Sequence, residues 1–309
     1  MWGPKMTDLK QMLESVVSSD NIRQDEPMKN HTTFRIGGTA DYLVNPANSE
    51  EAANLVRLLL ANQIPFVILG NGSNILVSDK GIRGVVVCIG DGMDFVKVTE
   101  NSIVAGAGAL LSKVAKEALS CGLSGLEFAS GIPGSIGGAM VMNAGAYGSE
   151  MKDVVKSVTM LDLETGKVVT FTDDKMEFGY RTSIIKKHPY LVLEAEFELT
   201  GGSYDDIKAR MDELNCKRRE KQPLEYPSAG SAFKRPEGYF AAKLIEDAGM
   251  KGYRVGGAMV SDKHSGFIVN VDNASAADVV KVIEDVKAKV SEVNNVCLEP
   301  EVIMLGEGF

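Results

Sequence analysis

Residues 131–148 read GIPGSIGGAMVMNAGAYG. Six glycines in eighteen residues argue against an ordinary helix or strand, because glycine inside either element costs about 0.5–1 kcal/mol relative to alanine. Such a stretch indicates that the backbone comes very close to another group. Gly134, Gly137 and Gly138 lack the side chains that would block that approach, and their N–H groups suit an anion or a flat ring. The alternative is a tight buried loop where two elements cross, since turn glycines are common.

A second glycine loop lies within residues 65–79, which read PFVILGNGSNILVSD. Two apolar runs flank a polar turn, a pattern that predicts strand, turn and strand. Gly70 and Gly72 permit positive φ, while Ser73 and Asn74 add a hydroxyl and an amide that suit a pyrophosphate. The loop lacks the Lys-Ser/Thr pair of a P-loop and the third glycine and helix of a Rossmann fingerprint. Two unrelated glycine loops therefore predict a large phosphate-bearing ligand.

Composition and charge exclude several classes of protein. The chain has 309 residues, enough for two or three domains, and a net charge of −9 argues against a general nucleic-acid role. No apolar run approaches the roughly 20 residues that span a bilayer. The first residues, MWGPKMTDLKQ, lack the apolar core of a signal peptide. The four cysteines and three histidines show no disulfide or metal spacing. We expect a cytoplasmic protein with reduced cysteines and no metal.

The pattern of apolar residues and breakers predicts three α+β units, at residues 1–92, 93–202 and 203–309. We expect Ser49 to cap the second helix and Gly122 to end the third. The predicted helices cover 7–18, 49–62, 110–121, 204–219, 239–248 and 275–293. The predicted strands cover 34–38, 42–45, 65–69, 75–77, 84–89, 95–105, 155–163, 166–172, 190–199, 256–260, 266–271 and 300–305.

Three segments outside the glycine loops carry residues that could do chemistry. Ser231 lies on a predicted turn fixed by proline and glycine. Because no G-x-S-x-G elbow surrounds it, an ordinary turn serine is as good an interpretation as a catalytic one. Strand alternation would place Glu299 and Glu301 on one face, where a solvated strand-end carboxylate is the common role. Arg181 could equally be a surface cation. The residues alone do not bring these three together.

Six motifs in order nevertheless resemble one family, bacterial UDP-N-acetylenolpyruvoylglucosamine reductase (MurB), over nearly the whole chain. The matching segments are HTTFRIGG (31–38), LGNGSNILVSD (69–79), GIPGSIGGAMVMNAGAYG (131–148), YRTS (180–183), AGSAFKRP (229–236) and LEPEV (298–302).

The resemblance implies tightly bound FAD in the first two units, in the fold of vanillyl-alcohol-oxidase (PCMH) type flavoproteins. The third unit is then an α+β substrate-binding domain. The implied reaction uses NADPH to reduce the enolpyruvyl ether of UDP-N-acetylglucosamine, a cytoplasmic step of peptidoglycan synthesis. The cofactor-binding residues implied are Gly70, Asn71, Gly72, Ser73, Asn74, Gly131, Ile132, Gly134, Ser135, Gly137, Gly138, Asn143 and Gly145.

Catalytic roles also follow from the resemblance. Ser231 falls on the family's proton donor, while Arg181 and Glu301 fall on residues that stabilise the aci-carboxylate formed after hydride transfer. Residues implied for the substrate carboxylate or diphosphate are Lys221, Lys234 and Arg235. The short segment after Arg181, and Arg235 in place of an asparagine, match the short form of the family, which lacks a loop carrying a tyrosine over the substrate.

Two other functions compete with this interpretation. An FAD-linked oxidase of a small alcohol or sugar would explain the glycine loops but not Ser231, Arg181 and Glu301 together. A catalytically silent nucleotide-sugar sensor would keep the loops and lose those three residues. Flavin absorbance and the identity of the oxidant separate the three hypotheses.

Overall fold

A computed structural model describes residues 6–309; the first five residues of the N-terminal segment discussed above lie outside the described residues. The helices are α1 (Met6–Glu14), α2 (Ser49–Ala61), α3 (Leu111–Ser120), α4 (Ile136–Met142), α5 (Tyr204–Lys221), α6 (Ala241–Asp247) and α7 (Ala276–Asn294). Strands β1–β10 are Ile22–Pro27, Thr39–Val44, Phe66–Leu69, Ile75–Val77, Ile82–Cys88, Val96–Thr99, Ser102–Gly106, Leu123–Ser124, Gly145–Ala146 and Ser149–Glu150. Strands β11–β19 are Val155–Asp162, Val168–Thr172, Tyr190–Glu198, Thr200–Gly201, Ser228–Ser231, Arg254–Val255, Ala258–Val260, Phe267–Asn270 and Ile303–Leu305. Among these described helices, none is long and apolar enough to cross a membrane.

The α+β fold class is confirmed, and the six predicted helices are present, with ends shifted by up to four residues. Two local predictions are wrong. Residues 34–38 form no strand, because Arg35 has φ +55 and breaks the extended backbone, although Phe34 is buried. Ser49 is already helical; Asn48 caps α2 instead, with its extended backbone and its side chain accepting from the Glu51 N–H.

Helix α4 corrects the expectation that the glycine-rich stretch holds no helix. Ile136 and Met140 are fully buried, and α4 packs against β7 and β13. The N–H groups of Ile136 and Gly137 donate to the carbonyls of Ala109 and Ala107, both at 2.8 Å. Packing and hydrogen bonding therefore outweigh the low helix propensity of glycine over these seven residues.

The chain forms two compact units. The first contains the described residues up to Gln24, with Tyr42–Asn71 and Gly84–Cys216. Its largest sheet has the order β12-β11-β13-β7-β6 and is antiparallel at every pairing. Alternate residues of β11 and β13, such as Val158 and Phe197, are fully buried in the core. A four-stranded sheet has the order β1-β2-β5-β3, with β3 and β5 parallel. The three-domain division drawn from the sequence stays a prediction.

The second unit contains Asp25–Asp41, Gly72–Arg83 and Lys217–Phe309. Its antiparallel sheet has the order β15-β18-β17-β16, and α7 packs on β16, β17 and α6. Strand β19 pairs in parallel with β4, so the end of the chain lies beside the LVSD part of the glycine-loop motif.

The N-terminus of α7 is capped twice. Ser275 and Asp278 form a capping box, in which each side chain accepts from the other's backbone N–H. Asp79, from the end of the LGNGSNILVSD motif, accepts from the N–H groups of Ala276 at 2.8 Å and Ala277 at 3.0 Å through its two carboxylate oxygens. The last residue of this motif therefore anchors a helix of the second unit.

Candidate active site

Ser231 and Glu301 lie on neighbouring backbone segments of the second unit. Ser231 ends β15, opposite Phe267 of β18. Just beyond it, the carbonyl of Ala232 accepts from the Glu301 N–H at 2.9 Å, and Phe233 forms an antiparallel bridge with Pro300. The structure therefore brings together two of the three residues that the sequence implies for catalysis, although 70 positions separate them in the chain.

Asn74 fixes Glu301 from its other side. The Asn74 side-chain amide donates to the Glu301 carbonyl at 3.2 Å, and the Asn74 carbonyl accepts from the Ile303 N–H at 3.0 Å. The backbone of Glu301 is thus held by two separate segments, while its side chain is partly exposed. Asn74 is predicted as a cofactor contact, but its side-chain amide nitrogen donates to the Glu301 carbonyl instead of being wholly available to a ligand.

Glu299 and Glu301, expected on one face of a strand at 300–305, flank an isolated antiparallel bridge before that strand begins. Strand β19 begins only at Ile303, because residues 299–301 pair with the segment after Ser231 instead and Pro300 has no N–H for a ladder. Glu299 is exposed and forms an ion pair with Lys234. The two glutamates therefore have different surroundings.

His264 is close to the strand that pairs with Ser231. Its ring packs edge-on against Phe267, with 5.0 Å between ring centroids, and its Nδ1 accepts from the Gly266 N–H at 3.1 Å. Burial, together with the charge of Lys221, lowers the pKa of His264 below its ordinary value. The imidazole is therefore a neutral acceptor whose Nδ1 is already occupied by the backbone.

Arg181 belongs to the first unit and sits in a tight turn. The N–H groups of Gly179 and Thr182 each donate to the carbonyl of the other, at 3.0 and 3.2 Å. Arg181 has φ +55, and its guanidinium carbon lies 5.2 Å from the centroid of the Tyr180 ring. The turn presents a half-buried arginine that stacks on an aromatic ring.

Two buried side chains fasten this turn to the end of α4. Asn143 donates to the Gly179 carbonyl at 3.0 Å, and the Ser183 hydroxyl donates to the Val141 carbonyl at 3.0 Å. Both side chains are fully buried. The glycine-rich stretch and the YRTS motif are thus joined by hydrogen bonds within the first unit.

The first unit also offers a group that fits a cofactor. The Ser135 hydroxyl is buried and has no hydrogen-bond partner anywhere in residues 6–309. A Cβ on Gly70 would lie 2.5 Å from this hydroxyl oxygen, so glycine at position 70 leaves space for the Ser135 hydroxyl. An unpaired buried hydroxyl costs about 1–3 kcal/mol, which an acceptor on a ligand would remove. Gly70, Ser135 and the exposed Gly138 one turn away therefore fit the phosphate-bearing cofactor that the two loops predict.

Not every predicted loop residue faces open space. Gly72 has φ +61, and a Cβ there would lie 2.0 Å from the His31 carbonyl oxygen, so glycine is required by contact with the HTTFRIGG segment. A Cβ on Gly137 would lie 3.2 Å from the Ala107 carbonyl oxygen, and one on Gly145 would lie 2.7 Å from the Ser149 carbonyl oxygen. At these three positions the close approach is between backbone segments, as in the alternative interpretation of the glycines.

The remaining predicted cofactor residues divide by exposure. Asn71 is exposed, and partial exposure is shared by Ser73, Gly131, Ile132 and Gly134. Ile132 packs against the core of the first unit.

The three predicted substrate cations all lie in the second unit. Lys221 ends α5 and is exposed, and Lys234 forms an ion pair with Glu299. The guanidinium carbon of Arg235 lies 4.0 Å from the centroid of the Phe240 ring. Exposed ion pairs contribute little, about 0–1 kcal/mol, so Lys234 can exchange its partner for an anionic ligand. The motifs do not include Phe240, which is 62% exposed. Its signal in the sequence is an aromatic residue five positions after Arg235, beyond a proline and a glycine.

Family models and relatives match both parts of the chain. A model described as FAD binding domain matches residues 40–172, and one described as UDP-N-acetylenolpyruvoylglucosamine reductase, C-terminal domain, matches residues 222–305. The chain is 55% identical over 298 residues to the UDP-N-acetylenolpyruvoylglucosamine reductase of Agathobacter rectalis, covering 93% of this chain and 94% of the relative. It is 53% identical over 295 residues to that of Caldanaerobacter subterraneus subsp. tengcongensis, covering 96% and 97%. Among solved structures, the reductase (MurB) from Thermus caldophilus superposes with a TM-score of 0.79 at 35% identity, covering 92% of this chain and 99% of that one.

Proposed function

Because the chain belongs to the UDP-N-acetylenolpyruvoylglucosamine reductase family, an enzyme family that binds FAD, we propose that it reduces the enolpyruvyl ether of UDP-N-acetylglucosamine to the lactyl ether of UDP-N-acetylmuramate. The observation that carries this proposal is the pairing of backbone segments that holds Ser231 beside Glu301. A proton donor and a carboxyl group on neighbouring segments are what protonation of a carbanion next to a carboxylate requires.

FAD, when bound, supplies a hydride to C3 of the enol ether. The electron pair of the double bond then moves to C2 and the substrate carboxylate. Ser231 donates a proton to C2, so that hydride and proton together saturate the double bond. Ser231 is exposed and ends its strand, which leaves its hydroxyl open to a substrate carbon. A free hydroxyl is a weak acid, but the carbanion at C2 is a strong base and takes its proton.

Arg181 and Glu301 have the second task, which is to stabilise the negative charge on the substrate carboxylate while C2 awaits its proton. A guanidinium can donate two parallel hydrogen bonds to such a carboxylate. A carboxyl group at Glu301 acts there by sharing a proton with the substrate. The backbone of Glu301, held by Ala232 and Asn74, keeps this group in position.

We further propose that Gly70, Ser135 and Gly138 contact the cofactor, and that Lys221, Lys234 and Arg235 bind the diphosphate or carboxylate of the nucleotide sugar. NADPH is the proposed reductant. The nucleotide sugar and NADPH are metabolites of the cytoplasm, and we therefore propose a cytoplasmic enzyme of peptidoglycan synthesis.

Two measurements on the purified protein test the function. The protein should show flavin absorbance that bleaches when NADPH is added without oxygen. Reoxidation of the bleached flavin by UDP-N-acetylglucosamine enolpyruvate should follow. Reoxidation by oxygen but not by the enolpyruvyl sugar would reject the reductase and favour an oxidase.

A further inference from the structure

Asn143 is an unusual residue within the glycine-rich stretch. It is fully buried and ends α4 in the left-handed conformation, with φ +42. Asparagine tolerates this conformation better than most residues, but glycine is the commoner choice at a helix end. The side chain is therefore present for a reason other than the backbone conformation.

The side-chain amide of Asn143 is engaged at both ends. Its Nδ2 donates to the Gly179 carbonyl at 3.0 Å and to the Glu150 carboxylate at 2.9 Å, and its Oδ1 accepts from the Lys152 N–H at 3.0 Å. An amide nitrogen has two hydrogens, so both are used inside the protein. None is left to donate to a cofactor, although the sequence predicts Asn143 as a cofactor contact.

The bond to Gly179 acts on the turn that carries Arg181. Arg181 has φ +55, a backbone conformation that side chains larger than glycine disfavour. The turn is restrained on both sides of Arg181, by Asn143 through Gly179 and by the Ser183 hydroxyl through Val141. These two bonds add to the reciprocal backbone hydrogen bonds between Gly179 and Thr182 in holding this arginine conformation.

We propose that Asn143 is a positioning residue for Arg181, acting through the Gly179 carbonyl, and is not a cofactor ligand. The proposal rests on the role proposed for Arg181. It makes the end of the glycine-rich stretch part of the machinery that presents the guanidinium to the substrate carboxylate.

The test compares two glycine substitutions at helix ends. Asn143→Gly keeps the left-handed backbone free of strain and removes all three side-chain bonds. Asn295→Gly is the matched control, because Asn295 also ends a helix, α7, in the left-handed conformation, with φ +55, and is exposed. Flavin content, flavin reduction by NADPH and reoxidation by the enolpyruvyl sugar are measured separately for each.

We expect Asn143→Gly to keep its flavin and its rate of reduction by NADPH within about twofold, while reoxidation by the enolpyruvyl sugar slows by about 10²-fold, the usual effect of a small misplacement. Hydrogen exchange at the Thr182 amide, which donates within the turn, should accelerate. In an Arg181→Ala background, Asn143→Gly should add no more than about a twofold loss, since it acts through the missing guanidinium.

Four results would overturn the proposal. They are loss of flavin, equal slowing of both half-reactions, a full additional loss in the Arg181→Ala background, or behaviour like that of Asn295→Gly. Should Asn143→Gly fail to fold, Ser183→Ala, which removes the restraint on the other side of the turn, decides by the same measurements. A wild-type protein that the enolpyruvyl sugar does not reoxidise would instead reject the proposed function, whatever the variants do.

Discussion

Replacing Asp79 by asparagine should loosen the start of α7. The two carboxylate oxygens accept from the N–H groups of Ala276 and Ala277 at 2.8 and 3.0 Å. Asparagine keeps one acceptor, so one capping bond and the charge at the positive end of the helix are lost. A capping bond contributes about 1 kcal/mol and the charge about 0.3–1 kcal/mol, giving a loss of about 1.3–2 kcal/mol.

Hydrogen exchange of the first turn of α7, followed by mass spectrometry, measures this loss. A change of about 1.3–2 kcal/mol corresponds to opening about 9–30 times more often. Asp272→Asn is the control, because Asp272 is an exposed carboxylate of the same unit whose ion pair is with Arg254 at 3.4 Å and not with a helix N-terminus. Exchange in Asp79→Asn no faster than in Asp272→Asn would refute the assignment of Asp79 as a helix cap.

Four further outcomes are expected. Ser231→Ala should leave flavin reduction by NADPH intact and slow turnover by about 10²–10⁴-fold, because only the proton transfer to C2 is lost; turnover near the wild-type rate would remove this serine from the mechanism. Glu301→Gln should slow reoxidation by the enolpyruvyl sugar by about 10²–10³-fold in stopped flow and leave flavin reduction nearly unchanged; no slowing would show a solvated carboxylate. Gly72→Ala should destabilise the protein even without FAD, because the new Cβ would lie 2.0 Å from the His31 carbonyl oxygen. Gly138→Ala should fold normally, because its new Cβ would lie 3.9 Å from the Ser135 hydroxyl oxygen, an ordinary contact distance. Equal melting temperatures of the two apoproteins would contradict this. Burial lowers the pKa of His264 in the folded state, so the contribution of the neutral imidazole to stability is present above its unfolded pKa of 6.5 and is lost as pH falls through the folded pKa. The melting temperature should therefore fall more between pH 8 and pH 5 for the wild type than for His264→Asn. Parallel curves would show that His264 does not contribute to this pH dependence.

Local pattern was sufficient to predict most helices and strands. The apolar residues of α7 recur with helical spacing, and its start is signalled by Ser275 three residues before an acid. Helix α4 could not be predicted in this way, because its two glycines disfavour a helix and only packing on β7 and β13 reveals it. Phe34 is the opposite case, because its apolar side chain predicts a strand, whereas the residue is buried in a loop.

For the site, residue types were predictable but their neighbours were not. Ser231 and Glu301 point to catalysis only through the family resemblance of their motifs. The two backbone segments come together through the bridge between Phe233 and Pro300, which no local sequence pattern predicts. The glycines show the same limit. Gly70 and Gly72 look alike in sequence, yet one makes room for a buried hydroxyl and the other for a carbonyl of the protein's own backbone.

The parallel pairing of β4 with β19 has a consequence for how the protein is made. Asn74 and Glu301, which flank this pairing, are 227 residues apart. At about 5–20 residues per second, a ribosome needs roughly 10–45 s to add that length. During this interval the apolar edge Ile75–Val77 has no strand to pair with, and such edges promote aggregation. The second unit therefore lacks this pairing until residues 303–305 have been made, and a nascent chain stopped before Ile303 would leave β4 exposed to quality-control chaperones and proteases.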